Sequence, residues 1–97
     1  MVDLLYNTVS INVWVPFNEG WGQFDALKAV EFIRKRDTTR LIDHASGWHD
    51  QGGGDFKSPH VYFVKFKMPW DKNRAVVLSE FGGYSYQVKG HVFDESR

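Results

Sequence analysis

Two glutamates stand in matching settings. Glu19 follows the run Ile11-Asn12-Val13-Trp14-Val15-Pro16-Phe17 and Asn18, and precedes Gly20. Glu80 follows Ala75-Val76-Val77-Leu78-Ser79 and precedes Phe81-Gly82-Gly83. Runs of β-branched and aromatic residues fit a strand packed on both faces. Pro16 has no N–H to give a ladder, so pairing should fail near it. Each carboxylate is therefore expected at the carboxyl end of a strand, where α/β sheets place their ligands. If both leave the same edge they form a pair. With one protonated and one ionised, at about 5–5.5 Å, such a pair can flank a glycosidic bond as acid and nucleophile. The plain alternative is that each Glu is a solvated loop residue or a helix N-terminal charge. Pattern alone favours the plain alternative.

The elements that must position the pair can be traced along the chain. Met1 to Ser10 reads as a helix end cut short at Asn7, or as a short lead-in. Ile11 to Phe17 is the first predicted strand. Trp21 to Arg36 reads as a helix, because Phe24, Leu27, Val30 and Ile33 recur every three residues. Asp25 early and Arg34, Lys35 and Arg36 late suit the helix dipole, and Asp37-Thr38-Thr39 breaks the pattern. Arg40 to His44 is a second predicted strand, and Ala45 to Lys57 a loop containing Gly52-Gly53-Gly54. Val61 to Val64, starting near His60, is a third strand, and Lys65 to Arg74 a connection. Ala75 to Ser79 is the fourth strand, and the chain from Phe81 onwards should be irregular. Parallel neighbours need crossovers of about a dozen residues. The gaps 45–60 and 65–74 barely meet that. The expected class is α/β, with about four parallel strands, one long helix and short or irregular crossovers.

Composition narrows the possibilities. With 97 residues, 42% hydrophobic and 16% aromatic, the chain suits one domain with a core. Twelve basic residues balance twelve acidic ones, which gives no electrostatic case for nucleic acid. No apolar run approaches a membrane span, so no membrane partner is expected. Met1 to Ser10 lacks a basic region followed by an apolar stretch, so it does not read as a signal peptide. The compartment stays open. Without cysteine there is no disulfide framework and no thiolate metal site. Asp43, His44, His49 and Asp50 are metal-ligand types, but their order has no H-E-x-x-H or similar spacing. The three consecutive glycines are followed by no Lys-Ser/Thr, so they read as a flexible loop. Neither a metal nor another cofactor is expected.

The residues around the two glutamates say more. Trp14-Val15-Pro16-Phe17-Asn18-Glu19-Gly20-Trp21 resembles the acid/base segment of glycoside hydrolase family 2. That family comprises β-galactosidases, β-glucuronidases and β-mannosidases built on a (β/α)8 barrel. Thr39-Arg40-Leu41-Ile42-Asp43-His44-Ala45-Ser46-Gly47 looks like the family's next strand, Pro59-His60-Val61-Tyr62 like its His-x-Tyr strand, and Ser79-Glu80-Phe81-Gly82-Gly83 like its nucleophile segment. The four matches come in the family's order and span roughly residues 8–93. The resemblance implies a partial (β/α)8 barrel comprising strands four to seven. It implies a retaining mechanism on a β-glycoside, with Glu19 as acid/base and Glu80 as nucleophile.

It also implies that Asn18 bonds the sugar 2-hydroxyl, Tyr62 orients the Glu80 carboxylate and His60 lines the pocket. Each has a plainer reading: Asn18 as a turn cap, Tyr62 as a core aromatic with a bonded hydroxyl, His60 as a satisfied strand histidine. Trp48 can stack on a sugar or simply anchor its loop, and Trp70 reads as packing. An apolar surround such as Trp14 or Trp21 should keep Glu19 protonated until it donates.

The chain also departs from the pattern. A whole barrel takes about 250 residues, and the segments resembling strands one to three and eight are not in this sequence. Ser58 stands where the family frequently has Asp. Four strands leave open sheet edges and a bare apolar face, so self-association is expected. Turnover by the isolated chain should be weak or nil, because half the pocket wall is missing. The competing class is a non-catalytic fragment that binds carbohydrate weakly or only mediates association.

Overall fold

The computed structural model describes residues 1–20, 22–94 and 96. Helix α1 covers Val2–Leu5 and β1 Val13–Trp14, followed by α2, Ala26–Arg36, and β2, Leu41–Ile42. Strands β3, Phe56–Lys57, β4, His60–Tyr62, β5, Ala75–Val76, and β6, Glu80–Gly82, complete the order. Three pairs form, β1 with β2, β3 with β5 and β4 with β6, and all are parallel. Beyond the first pair, an isolated parallel bridge joins Asn18 to Ser46. Backbone bonds from Asp55 N to Ile42 O (2.7 Å) and from Gly47 N to Ser58 O (2.6 Å) tie the second segment to the third. Four stretches of chain thus lie side by side in sequence order.

Several boundaries differ from those expected. The first strand keeps a ladder only at Val13–Trp14, and pairing resumes at Asn18 beyond Pro16. The long helix starts at Ala26 and not at Trp21, a residue outside those described. Asp25, at its N-cap, is left-handed with φ 43°, and Gly22 lies at φ 79°. Phe24 precedes the helix and stacks edge-on against Phe17. Leu27 is about half exposed, so the buried stripe reduces to Ala26, Val30 and Ile33. The second strand shortens from Arg40–His44 to Leu41–Ile42, and the stretch expected as loop, Ala45 to Lys57, ends in β3. The third strand shifts to His60–Tyr62, because Phe63 takes a left-handed φ of 62°. The fourth divides into β5 and β6, and β6 includes part of the stretch expected to be irregular.

The division of that fourth strand follows from a count. Between the two ladders, Ser58-Pro59 on one side faces Val77-Leu78-Ser79 on the other. The extra residue is a bulge, next to a proline that cannot donate. It advances the register by one, and Glu80 arrives opposite His60.

The core is small: Val2, Trp14, Ile33 and Ile42, with Leu5, Ile11 and Val30 packed against it. Its centre is polar. Asp37 is fully buried and accepts from Trp14 Nε1 (2.8 Å), Thr39 Oγ1 (2.6 Å) and Arg40 Nη1 (2.7 Å). Arg40 also donates to the carbonyls of Ile11, Tyr6 and Thr8 at 2.8, 2.7 and 3.1 Å. Opposite, Asp55 takes both 2.9 Å bonds of Arg34 and also accepts the Ile42 N–H at 2.7 Å. Outside this core the chain is elongated, with extents of 53 × 32 × 24 Å, and Phe63, Trp70 and Phe81 are exposed.

The bond from Thr39, with those from Arg40 and Trp14, holds the Asp37 carboxyl well below its ordinary 3.8. Bonds from Arg74 hold Asp50 and Asp71 at about 2. A carboxyl depressed on folding contributes stability above its unfolded pKa and loses it as the pH falls towards the folded value. From Asp37, Asp50 and Asp71, thermal unfolding followed by circular dichroism should therefore give a midpoint that falls steeply below about pH 4. Asp37→Asn should lower the midpoint at pH 7 and flatten the acid limb. An unchanged limb in that variant would remove Asp37 as its source.

Candidate active site

Each glutamate is placed by the backbone of its own segment. Glu19 donates its N–H to Ser46 O at 2.5 Å, next to the Asn18–Ser46 bridge. It sits at φ 58°, a left-handed conformation uncommon outside glycine and concentrated at functional positions. Glu80 opens β6 and pairs with His60 at the start of β4. The two carboxylates meet across the His60 imidazole. Nδ1 is 3.2 Å from Glu19 Oε1 and 3.6 Å from Glu80 Oε2. One carboxylate oxygen of each glutamate and the imidazole nitrogen all lie within 4.8 Å of one another.

Exposure differs across the three. The His60 side chain is completely buried, that of Glu19 is 23% exposed and that of Glu80 47%. The imidazole is gripped from its other side, where Nε2 lies 2.8 Å from Ser46 Oγ, itself 3.0 Å from Ser79 Oγ. Gly47 makes room for the ring. A Cβ there would come within 2.6 Å of Nδ1, and its φ of +102° is one that L side chains rarely adopt. Gly20 does the same beside Glu19, where a Cβ would lie 2.2 Å from His49 Cδ2.

Tyr62 donates its hydroxyl to Glu80 Oε2 in a short bond. That bond, with loss of hydration and the charges of Glu80 and Glu19, pushes the phenol up to about 12. Trp48, His60 and Tyr62 line one cleft of about 450 Å³ with Val61, Phe63 and Val64. The loop carrying Trp48 is clamped by Arg74, which bonds both oxygens of Asp50 at 2.7 Å and Asp71 at 2.8 Å. Asn18 is exposed, and among the described residues its side chain makes no hydrogen bond.

The residues singled out from sequence thus divide. Glu19, Glu80, His60 and Tyr62 form one connected group, Trp48 lines a cleft with His60 and Tyr62 whose walls include neither glutamate, and Asn18 is exposed. Trp14 does not serve Glu19, because its indole is bonded to Asp37 within the core. Trp21 lies outside the described residues. No protein-family model matches the chain, and no curated protein matches it. The likeness to family 2 rests on the four quoted motifs.

Sequence reasoning missed Ser46, Ser79 and Arg74. A serine beside a strand end carries no periodic signal, and Arg74 was read only as part of a connection. Asp43 and Ser58 are buried, and burial pushes the Asp43 carboxyl up against a bond from Ser58 that lowers it. His44 Nε2 accepts the Gln51 N–H at 2.9 Å and lies 3.3 Å from Asp50, while burial lowers its affinity for a second proton. From the sequence, a metal is weighed at Asp43, His44, His49 and Asp50 and none is expected in the chain. Among the described residues, the donors that could face one cation are Glu19, His60 and Glu80.

The Tyr62–Glu80 bond has a direct optical consequence. In an alkaline difference-absorbance titration, one of the four tyrosines should ionise near 12. Glu80→Gln removes the carboxylate charge and should bring that phenol down towards its ordinary 10.0. An identical titration in that variant would show that Tyr62 does not lean on Glu80.

Proposed function

We propose that this chain carries the catalytic centre of a retaining β-glycosidase of the family 2 type, on parallel segments that derive from one wall of a (β/α)8 barrel. The observation that carries the reading is the meeting of Glu19 and Glu80 across His60, with oxygens within 4.8 Å. A retaining enzyme needs carboxyl groups about 5–5.5 Å apart, whereas an inverting one needs about 6.5–9.5 Å to admit a water.

The roles follow from what each carboxylate touches. Glu80 is held by the Tyr62 hydroxyl, which steadies an ionised oxygen and aims it. It attacks the anomeric carbon. As that bond forms, the carbon–oxygen bond to the leaving group breaks, and its electron pair stays on the oxygen, which takes the Glu19 proton. In the second half Glu19, now a carboxylate, accepts a proton from water. The resulting hydroxide oxygen attacks the anomeric carbon and releases Glu80. Two inversions at one carbon give net retention. Asn18, exposed, is available to a sugar hydroxyl, and Trp48 lines the cleft where an aromatic ring can stack on a sugar.

A second reading keeps the site and drops the chemistry. The exposed Phe63, Trp70 and Phe81 favour association with a further apolar surface. In that case the chain binds carbohydrate weakly or only associates.

Azide separates the two readings. Glu80→Ala should abolish turnover of an activated aryl β-glycoside, and azide should restore it, giving an α-glycosyl azide. Glu19→Ala should spare formation of the glycosyl-enzyme from activated leaving groups, slow it for poor ones by about 10²–10⁴-fold, the usual worth of general acid catalysis, and slow hydrolysis of the intermediate for both. With azide it should give the β-glycosyl product. Absence of rescue in both variants, against measurable wild-type turnover, would refute the pair.

A further inference from the structure

The contacts of His60 have a direction that its burial alone does not give. The imidazole is enclosed, with Ser46 Oγ on one nitrogen and two carboxylates on the other. Neutral imidazole carries a single N–H, so one nitrogen donates and the other accepts. An ionised carboxylate only accepts, and a serine hydroxyl does either. With Glu19 and Glu80 both ionised, a bare Nδ1 would turn its lone pair towards two anionic oxygens, at 3.2 and 3.6 Å. A proton on Nδ1 removes that conflict. Nε2 is then bare and needs a donor, which Ser46 supplies at 2.8 Å. Having given its hydrogen to the ring, Ser46 Oγ has free lone pairs for the Ser79 hydroxyl at 3.0 Å. With the ring neutral and both carboxylates ionised, every polar atom in the row is satisfied when the hydrogens run from Ser79 to Ser46, to His60 and on to the carboxylates.

We infer that Ser46, backed by Ser79, holds His60 as its Nδ1–H tautomer, so that the ring proton bonds Glu19 and lies within electrostatic reach of Glu80. Ser46 is then a positioning residue that acts through the ring and touches no substrate. The inference takes its catalytic meaning from the proposed function, but its test does not. In the first half of the reaction Glu19 gives up its proton as Glu80 becomes a neutral ester, so the negative charge passes from Glu80 to Glu19. The Nδ1–H already faces both oxygens, 3.2 Å from Glu19 and 3.6 Å from Glu80. It meets the charge that develops on Glu19 without reorganisation. Gly47 is part of the same device, because any side chain at that position would displace Nδ1.

The tautomer can be read directly by ¹⁵N NMR of the histidine-labelled full chain at about pH 8. This lies above the 6–7 to which enzymes raise a catalytic Glu and above the ordinary histidine value of about 6.5. The four imidazoles are few enough for His60 to be assigned by comparison with His60→Gln. In the wild type the proton should sit on Nδ1, with Nε2 bare. Ser46→Ala should lower the Nδ1–H to Nε2–H ratio by about five- to tenfold, as expected for loss of one neutral hydrogen bond. Ser46→Thr, which keeps the hydroxyl, should restore it. Ser79→Ala, at an exposed position, should shift the ratio the same way by a smaller factor, and it decides the matter if Ser46→Ala does not fold. A wild-type proton on Nε2, or a ratio unmoved by the serine variants that fold, would overturn the inference. A chain with no turnover but an Nδ1–H His60 would sink the proposed function and leave this inference standing. A working glycosidase with an Nε2–H ring would do the reverse.

Discussion

The buried carboxylate of Asp37 is the constraint on which the remaining structure depends. It stands at the end of α2 and accepts from Trp14 on β1 and from Arg40 just before β2. Three elements far apart in sequence are thereby fixed at one point. A carboxylate this deep is tolerable only because several donors satisfy it. Once Trp14 and Arg40 are fixed there, Val13 falls beside Leu41, Trp14 beside Ile42, and Asn18 beside Ser46. The position of Glu19 is a consequence of that register, five residues beyond Trp14 in the core.

The other half of the site is set by a different device. Here a one-residue bulge places Glu80 against His60. Without it, Ser79 would occupy that place and the carboxylate would turn to the opposite face, since a slip of one residue reverses a strand. The glycines at 20 and 47 then clear the volume into which the imidazoles of His49 and His60 settle. The core and the site thus obey separate rules, one of buried charge and one of backbone count. They join through the bond from Glu19 N to Ser46 O, the row of hydroxyls beyond it, and the backbone bonds from Gly47 N to Ser58 O and from Asp55 N to Ile42 O.

How much of this was legible in the sequence depends on how local each feature is. The apolar runs ahead of Glu19 and Glu80 are local, and so is the α2 stripe of Val30 and Ile33. Both could be read, though the strand ends could not. Pro16, Pro59 and the left-handed Phe63 cut ladders that alternation alone would have continued. Asp37 was legible as the end of a helix but not as a buried hub, because its chief partner, Trp14, lies 23 residues away. The serines were not legible at all. Their role comes from the meeting of Ser46 and Ser79 across 33 residues, and nothing in either neighbourhood announces it. The grouping of Glu19, Glu80 and Tyr62 was reached through motif likeness and not through periodicity. The placement of Trp14 beside Glu19 failed because the indole nitrogen had a stronger claim on it in the core.

The account turns on Glu80 as the group that bonds to the sugar while Glu19 handles the proton. Incubation with an activated 2-deoxy-2-fluoro β-glycoside, followed by peptide mass spectrometry, tests this most directly, since a single slow turnover suffices. The account predicts one fluoro-sugar per chain, esterified to Glu80 and absent from Glu80→Gln. An adduct on Glu19 or Asp43, or an unlabelled chain that still hydrolyses the parent glycoside, would contradict it.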